Sequence, residues 1–168
     1  MVVELVSVGT ELLLGNIVNT NTQYLAEQCA LLGLSLYHQS VVGDNHDRLA
    51  EVVKTALGRS DVVILTGGLG PTEDDLTKEV CAEVMGYKLV EDPHTREHLE
   101  QFFKNNIYKE IPDNNWKQAM VPEGALILDN HNGMAPGLIL EKDGKTAILL
   151  PGPPAELYPM FKEQVYPY

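Results

Sequence analysis

Three times before Gly86 the chain repeats one pattern: a short apolar run, a glycine-bearing turn, and a segment whose apolar residues recur at helical spacing. Residues 2–8, VVELVSV, read as a buried strand that runs into Gly9 and Thr10. Thr20 to Leu32 then carries Tyr24, Leu25, Cys29 and Leu32 on one helical face, with Asn19 or Asn21 as cap and Gly33 as the stop. The second unit has a strand over 34–42, a Gly43-Asp44-Asn45 turn, and a helix from Arg48 to Leu57 closed by Gly58. The third has a strand from Asp61 to Thr66, a loop reading GGLGPTEDD, and a helix from Leu76 to Met85 closed by Gly86. Parallel neighbours need crossover connections, and helical crossovers cover the sheet, so this succession predicts an α/β domain with a parallel sheet between helices.

Beyond Gly86 the pattern changes. Helical spacing predicts helices over Pro93–Asn105 and Asp113–Met120, and a short strand over Ala125–Leu128. Lys142-Asp143-Gly144-Lys145 has hairpin-turn chemistry and joins apolar runs over 138–141 and 146–150, a small C-terminal hairpin. Pro153-Pro154 opens a last helix, with proline in the first turn where its missing N–H does no harm. There is no internal repeat, linker or low-complexity stretch, and 168 residues at 44% hydrophobic content are enough for one core, so residues 1–168 are expected to form one domain.

Charge narrows the function. The formal net charge is −12 and basic residues never run beyond an isolated pair, a surface that repels a nucleic-acid backbone. Such a chain binds a phosphorylated small molecule only where backbone N–H groups or a metal ion supply local positive charge. Cys29 and Cys81 fall inside helical patterns with no C-x-x-C spacing and are expected as buried free thiols. The N-terminus lacks a basic leader, and no apolar run approaches the roughly 20 residues that span a bilayer, so a soluble, cytoplasmic protein without a membrane partner is expected.

In an open parallel sheet, ligands bind beyond the carboxyl ends of the strands. The loops there are Gly9-Thr10-Glu11, Gly43-Asp44 and Gly67 to Asp75. Gly67, Gly68 and Gly70 allow backbone N–H groups to turn toward an anion, although the spacing matches neither G-x-G-x-x-G nor a P-loop. The same stretch also reads as a tight turn with an acid-rich helix start, suited to the helix dipole. Glu73, Asp74 and Asp75 exceed what capping needs and repel one another, which a hard divalent cation relieves. Asp44 adds a carboxylate at the end of the neighbouring strand, or serves only its turn.

The segments SVGTELLLGNIVNTN (7–21), VGDN (42–45), LTGGLGPTEDDLT (65–77), NGMAPG (132–137) and LPGPPAEL (150–157) together resemble the N-terminal domain of the CinA competence/damage-inducible family, within the wider molybdopterin-binding fold. The resemblance spans essentially the whole chain. It implies a three-layer α/β/α domain with a mostly parallel sheet, assembly as a dimer or trimer, and metal-dependent ADP-ribose pyrophosphatase activity. Carried over by position, it implies catalytic Asp75, Asp44 and Glu11, and a metal site of Asp44, Asp74 and Asp75 for magnesium, manganese, cobalt or nickel. Ligand contacts fall on Gly9, Thr10, Asn21, Thr66, Gly67, Gly68, Leu69, Gly70 and Thr72, with Pro151 and Gly152 walling the far side. The expected substrate is a small phosphorylated nucleotide, split to AMP and a sugar phosphate. Leu69, Pro71 and Thr72 depart from the T-G-G-T-G loop of molybdopterin enzymes, and Met134 replaces a threonine common in N-G-T-A-P-G. A molybdopterin-binding or adenylyl-transferring domain, and a nucleotide-binding module without turnover, remain the alternatives. The amidase domain that usually follows in CinA proteins is expected to be absent, and deamidation with it.

Three other signals carry less. His94 to His98 spells H-x-x-E-H, the inverted zinc-protease pattern, but no third ligand is identifiable. Phe102, Phe103 and Trp116 read as core packing or as a lid or subunit contact. His46, two positions after Asp44, is placed by sequence near the site.

Overall fold

The computed structural model describes residues 1–105 and 110–168. In chain order its elements are β1 (Val2–Val8), α1 (Thr10–Leu13), α2 (Thr20–Leu31), β2 (Ser35–Val42), α3 (His46–Arg59), β3 (Val62–Thr66), α4 (Thr77–Met85), β4 (Leu89–Glu91) and α5 (Pro93–Asn105). A 3₁₀ helix (Asp113–Ala119) leads into β5 (Met120–Pro122), β6 (Leu126–Leu128), β7 (Gly137–Lys142), β8 (Lys145–Leu150) and α6 (Pro154–Met160), which runs on as a π turn over Phe161–Val165.

The main sheet has the order β2-β1-β3-β8-β7-β6. The pairs β1/β2, β1/β3 and β3/β8 are parallel, whereas β8/β7 and β7/β6 are antiparallel. The hairpin at Lys142–Lys145 therefore belongs to the central sheet: its second strand, β8, pairs with all of β3 through Thr146 to Leu150. Strand period sorts the core into two layers. Val63, Leu65, Ala147 and Leu149 point to α3 and α4, where they meet Leu49, Val53, Val80 and Cys81. Ile64, Ile148 and Leu150 point to the other face and meet Leu25 and Cys29 of α2 and Leu157, Met160 and Phe161 of the last helix. Helices thus cover both faces of one sheet, the three-layer α/β arrangement expected.

Glu4 is 1% exposed on β1, where Arg59 donates to both its carboxylate oxygens at 2.9 and 2.7 Å and Ser60 Oγ donates at 3.2 Å. Reaching that acid explains why α3 runs through Gly58 to Arg59 instead of stopping at the glycine. The helix also starts earlier than its apolar spacing suggests, because the Asn45 side chain caps it by accepting from Arg48 N at 3.1 Å. By contrast, Gly86 closes α4 in the left-handed conformation, φ 71° and ψ 39°, as its position predicts.

An outlying unit sits beside the sheet. β4 and β5 pair antiparallel, and α5 and the 3₁₀ helix pack together around Leu99, Phe103 and Ala119, all buried. Arg96 lies over the Trp116 ring at 4.6 Å, and Phe102 meets Phe103 edge-on at 5.9 Å, so the aromatic trio is used in packing. Cys29 and Cys81 are buried free thiols, and burial pushes Cys81 up to about 12. Among the described residues no helix is long and apolar enough to cross a membrane.

Candidate functional site

The carboxyl ends of β1, β3 and β8 release their chains at one edge of the sheet, and the loops there enclose a cleft of about 690 Å³. Its floor is the glycine loop. Gly67 and Gly68 hold φ of +89° and +68°, values an L side chain rarely adopts. A Cβ on Gly67 would also press on the Val8 carbonyl, and one on Gly68 would run into Thr77 Oγ1. Thr77 pins this turn from below: its hydroxyl donates to Gly67 O at 2.8 Å and its N–H to Gly68 O at 3.1 Å. Gly67 N–H donates to Leu150 O at 3.0 Å. The N–H groups of Gly68, Leu69 and Gly70 have no acceptor among the described residues.

Two carboxylates flank that floor. Asp75 Oδ2 accepts from Thr72 N at 3.0 Å and Thr72 Oγ1 at 2.7 Å. Asp44 Oδ2 accepts from Thr10 N and Thr10 Oγ1, both at 3.1 Å, and Asp44 N donates back to Thr10 Oγ1 at 3.1 Å. Each aspartate is therefore fixed through Oδ2, and its Oδ1 has no partner among the described residues. The acid loop is held from behind by Lys117, whose ammonium donates to Thr72 O at 2.9 Å and to Asp75 O, with Glu79 Oε1 at 3.7 Å. Lys78, only 7% exposed, donates to Lys117 O at 2.6 Å, and burial pulls its pKa down to about 8.

Most residues expected from sequence line this cleft: Gly9, Glu11, Asn21, Asp44, Thr66, Gly67, Gly68, Leu69, Gly70, Thr72, Asp74, Asp75, Pro151 and Gly152. Thr10 does not line it and instead fixes Asp44 from behind. His46 is turned away, its ring bonded to Asp47 at 3.0 Å and Glu83 at 2.8 Å, because Asn45 begins a helix that carries it toward α4. The H-x-x-E-H pair is also engaged elsewhere: His94 bonds Asp129 at 2.7 Å, and His98 Nε2 donates to Gly133 O at 3.2 Å.

The expected triad of metal-holding acids is modified. Asp44, Asp74 and Asp75 share the cleft, but among the described residues no three His, Cys, Asp or Glu side chains gather as a ready metal cage. What is present is a pair of hard-oxygen donors, each with one oxygen to spare. Each carboxylate thus keeps one hard oxygen of the kind that magnesium-like ions take together with water and phosphate oxygens.

Sequence reasoning did not single out Gln118 or Glu156. Gln118 reaches the cleft from the 3₁₀ helix, where its Nε2 lies 3.4 Å from Leu69 O. Nothing in its neighbourhood of the sequence marks it, since the contact depends on how the outlying unit folds back. Glu156 stands in the first turn of α6 and accepts from Asn130 Nδ2 at 2.7 Å. Ile17, Val18, Met134 and Pro153 give the cleft an apolar wall.

Residues 4–168 match the family described as probable molybdopterin binding domain. A competence-damage inducible protein of Caldicellulosiruptor bescii is 58% identical over 168 residues, which are 100% of this chain and 41% of that protein. The chain thus spans about 41% of the length of this curated relative. The crystal structure of CinA from Thermoplasma acidophilum, a protein of unknown function, superposes with a TM-score of 0.86 at 34% identity, covering 96% of this chain and 94% of that one. The molybdopterin biosynthesis enzyme MoaB of Thermus thermophilus reaches a TM-score of 0.62 at 16% identity, covering 96% and 87%, a likeness of fold alone.

Proposed function

Because the chain belongs to the molybdopterin-binding domain family, in the branch of the CinA competence-damage inducible proteins, we propose that its cleft binds a phosphorylated nucleotide and hydrolyses the diphosphate of ADP-ribose or a related compound to AMP and a sugar phosphate. The observation that carries this reading is the juxtaposition of three acceptor-less backbone N–H groups with two aspartates, each fixed by one oxygen and open at the other, on one cleft. The N–H groups suit phosphate oxygens, and a volume of about 690 Å³ suits a ligand of nucleotide size.

A divalent ion shared by Asp44, Asp75 and the ligand would supply Lewis-acid polarisation of a phosphoryl oxygen. The chain's own contribution is positional. Gly68 to Gly70 orient the phosphate, Asp75 and Asp44 hold their oxygens in fixed directions through Thr72 and Thr10, and Glu11, exposed at the rim beside Gly9, is available to orient the attacking water. One water is consumed, and the phosphoanhydride oxygen leaves with one of the two products.

The test is chromatography of AMP released from ADP-ribose in magnesium, manganese, cobalt or nickel, against a chelator control. Metal-dependent release that disappears in Asp75→Asn, with the fold intact, is the expected result; an Asp75→Asn protein of full activity rules the assignment out. The second reading, molybdopterin binding or adenylyl transfer in the same cleft, is favoured by the family's description and by the fold of MoaB. Tight pterin binding without diphosphate hydrolysis selects it. Assembly as a dimer or trimer is part of the proposal and is read by sedimentation.

A further inference from the structure

Leu13, Leu14, Ile17 and Val18 fall within six consecutive positions, and all four are exposed. Ile17 keeps 54% of its surface in water and Val18 keeps 82%. Single exposed aliphatic residues are ordinary, whereas a cluster of them marks a contact surface. This cluster also stands in a stretch without charge: in a chain with 24 acids, no charged residue occurs from Leu12 to Ala26.

The segment is tied on both sides. Asn16 N–H donates to Glu11 O at 2.9 Å, and Asn19 Nδ2 donates to Ser7 Oγ at 2.8 Å while Asn19 Oδ1 caps α2 by accepting from Thr22 N at 3.2 Å. Ile17 and Val18 lie between these ties and line the cleft, whereas Leu13 and Leu14 do not. Met134, Ala135, Pro153 and Pro154 bring further apolar surface to the same cleft from the other end of the chain. A phosphate gains nothing on aliphatic groups, and its charge goes to the N–H groups of Gly68 to Gly70. A cleft that combines free N–H groups with exposed aliphatic residues suits a ligand that is anionic in one part and flat and uncharged in another.

Building on the nucleotide reading above, we infer that Ile17 and Val18 are specificity-determining residues that pack against the face of the nucleotide's base. The base covers the two residues when the ligand is bound, and removing that apolar surface from water supplies affinity that the phosphate contacts alone do not. A ligand without a base leaves the two side chains in water and is bound weakly.

The experiment is calorimetric titration with α,β-methylene ADP-ribose, which resists hydrolysis, beside the same compound with hydrogen in place of adenine. In the unaltered protein we expect loss of the base to weaken binding about tenfold or more. The double variant Ile17→Ser/Val18→Ser should weaken the parent compound about tenfold and leave the base-free compound within about twofold. Leu14→Ser, exposed on the same segment but outside the cleft lining, should change neither. All three positions are exposed, so the fold tolerates serine there. Parent and base-free compounds binding within about twofold of each other in the unaltered protein overturns the inference, and that comparison needs no variant. A double variant that binds the parent compound as tightly as the unaltered protein overturns it too; a smaller assembly of that variant in sedimentation would then assign the patch to a second copy of the chain. An equal loss for both compounds, or a loss in Leu14→Ser as large as in the double variant, also overturns it, because the residues then shape the segment without touching the base. Failure of the parent compound to bind in any of the four metals overturns this inference together with the nucleotide reading, whereas binding indifferent to the base overturns this inference alone.

Discussion

Lys117 Nζ donates to the carbonyl oxygen of Thr72 at 2.9 Å, so the 3₁₀ helix of the outlying unit holds the acid loop by its backbone. The same ammonium reaches Asp75 O, the main-chain oxygen of the aspartate that lines the cleft. Lys117→Met keeps the stem and removes both bonds. Hydrogen bonds from charged donors contribute about 1.5–3 kcal/mol, so urea unfolding should show a loss of about 2 kcal/mol. Manganese affinity measured by calorimetry should fall about fivefold or more as Asp75 loses its fixed direction. Unchanged metal affinity in a folded Lys117→Met protein would mean that the loop keeps its shape without the clamp.

The Thr10–Asp44 contact makes a separable prediction. Thr10 lies outside the cleft lining, and its hydroxyl both donates to Asp44 Oδ2 and accepts from Asp44 N, at 3.1 Å each. Thr10→Val should lower the rate of AMP release about tenfold while changing stability by less than about 1 kcal/mol, and Thr10→Ser should restore it. A Thr10→Ser protein as slow as Thr10→Val would show that the methyl group matters and the hydroxyl does not.

Glycine substitutions should split by location. Gly67→Ala forces a side chain into φ +89° and against the Val8 carbonyl, so thermal denaturation should report a loss of about 2 kcal/mol or more, with ligand binding impaired. Gly58 lies inside α3, with nothing within 4 Å of an added Cβ. Gly58→Ala should therefore stabilise by about 0.5–1 kcal/mol. Equal effects at the two positions would contradict the conformational argument.

The parts of the fold legible in the sequence were those that repeat a period over many residues. The strand–glycine–helix succession identified β1 to α4 because each helix buries one apolar stripe and the central strands β1 and β3 are short apolar runs buried on both faces. Three of the short pieces escaped, α1 of four residues and β4 and β5 of three each, too brief for a period to declare itself, whereas β6, equally short, was marked by its apolar run. Gly58 misled because a lone glycine weakens a helix by about 1 kcal/mol, less than Leu57 burial and the Arg59–Glu4 pair return. At the site, Gly67, Gly68, Asp44 and Asp75 were readable because their loops follow strand ends. Gln118 and Lys117 were not, because their contacts to Leu69 and Thr72 span dozens of residues and exist only once the outlying unit has docked.

Lys78 supplies a prediction in pH. Its ammonium is buried behind the acid loop, and burial holds its folded pKa at about 8 against an ordinary 10.5. Between those values the unfolded chain binds more protons than the folded one, so the Lys78 contribution to stability rises with pH across the window, by at most about 3 kcal/mol. The buried thiols and Tyr24 act in the opposite direction. Burial raises Cys29, Cys81 and Tyr24, so the folded state keeps protons the unfolded chain releases, and stability falls as pH climbs past their ordinary values of 9.0 for the thiols and 10.0 for tyrosine. The whole-protein curve mixes both signs, and the informative quantity is the difference between the parent protein and Lys78→Met. That difference should be most favourable to Lys78→Met near pH 7, where a buried charge is removed, and should shift toward the parent protein by pH 10 as Lys78 deprotonates and keeps only its bond to Lys117 O. Urea midpoints at both pH values measure it. A difference that stays constant would mean that Lys78 titrates alike in both states and that its ammonium is hydrated in the folded protein.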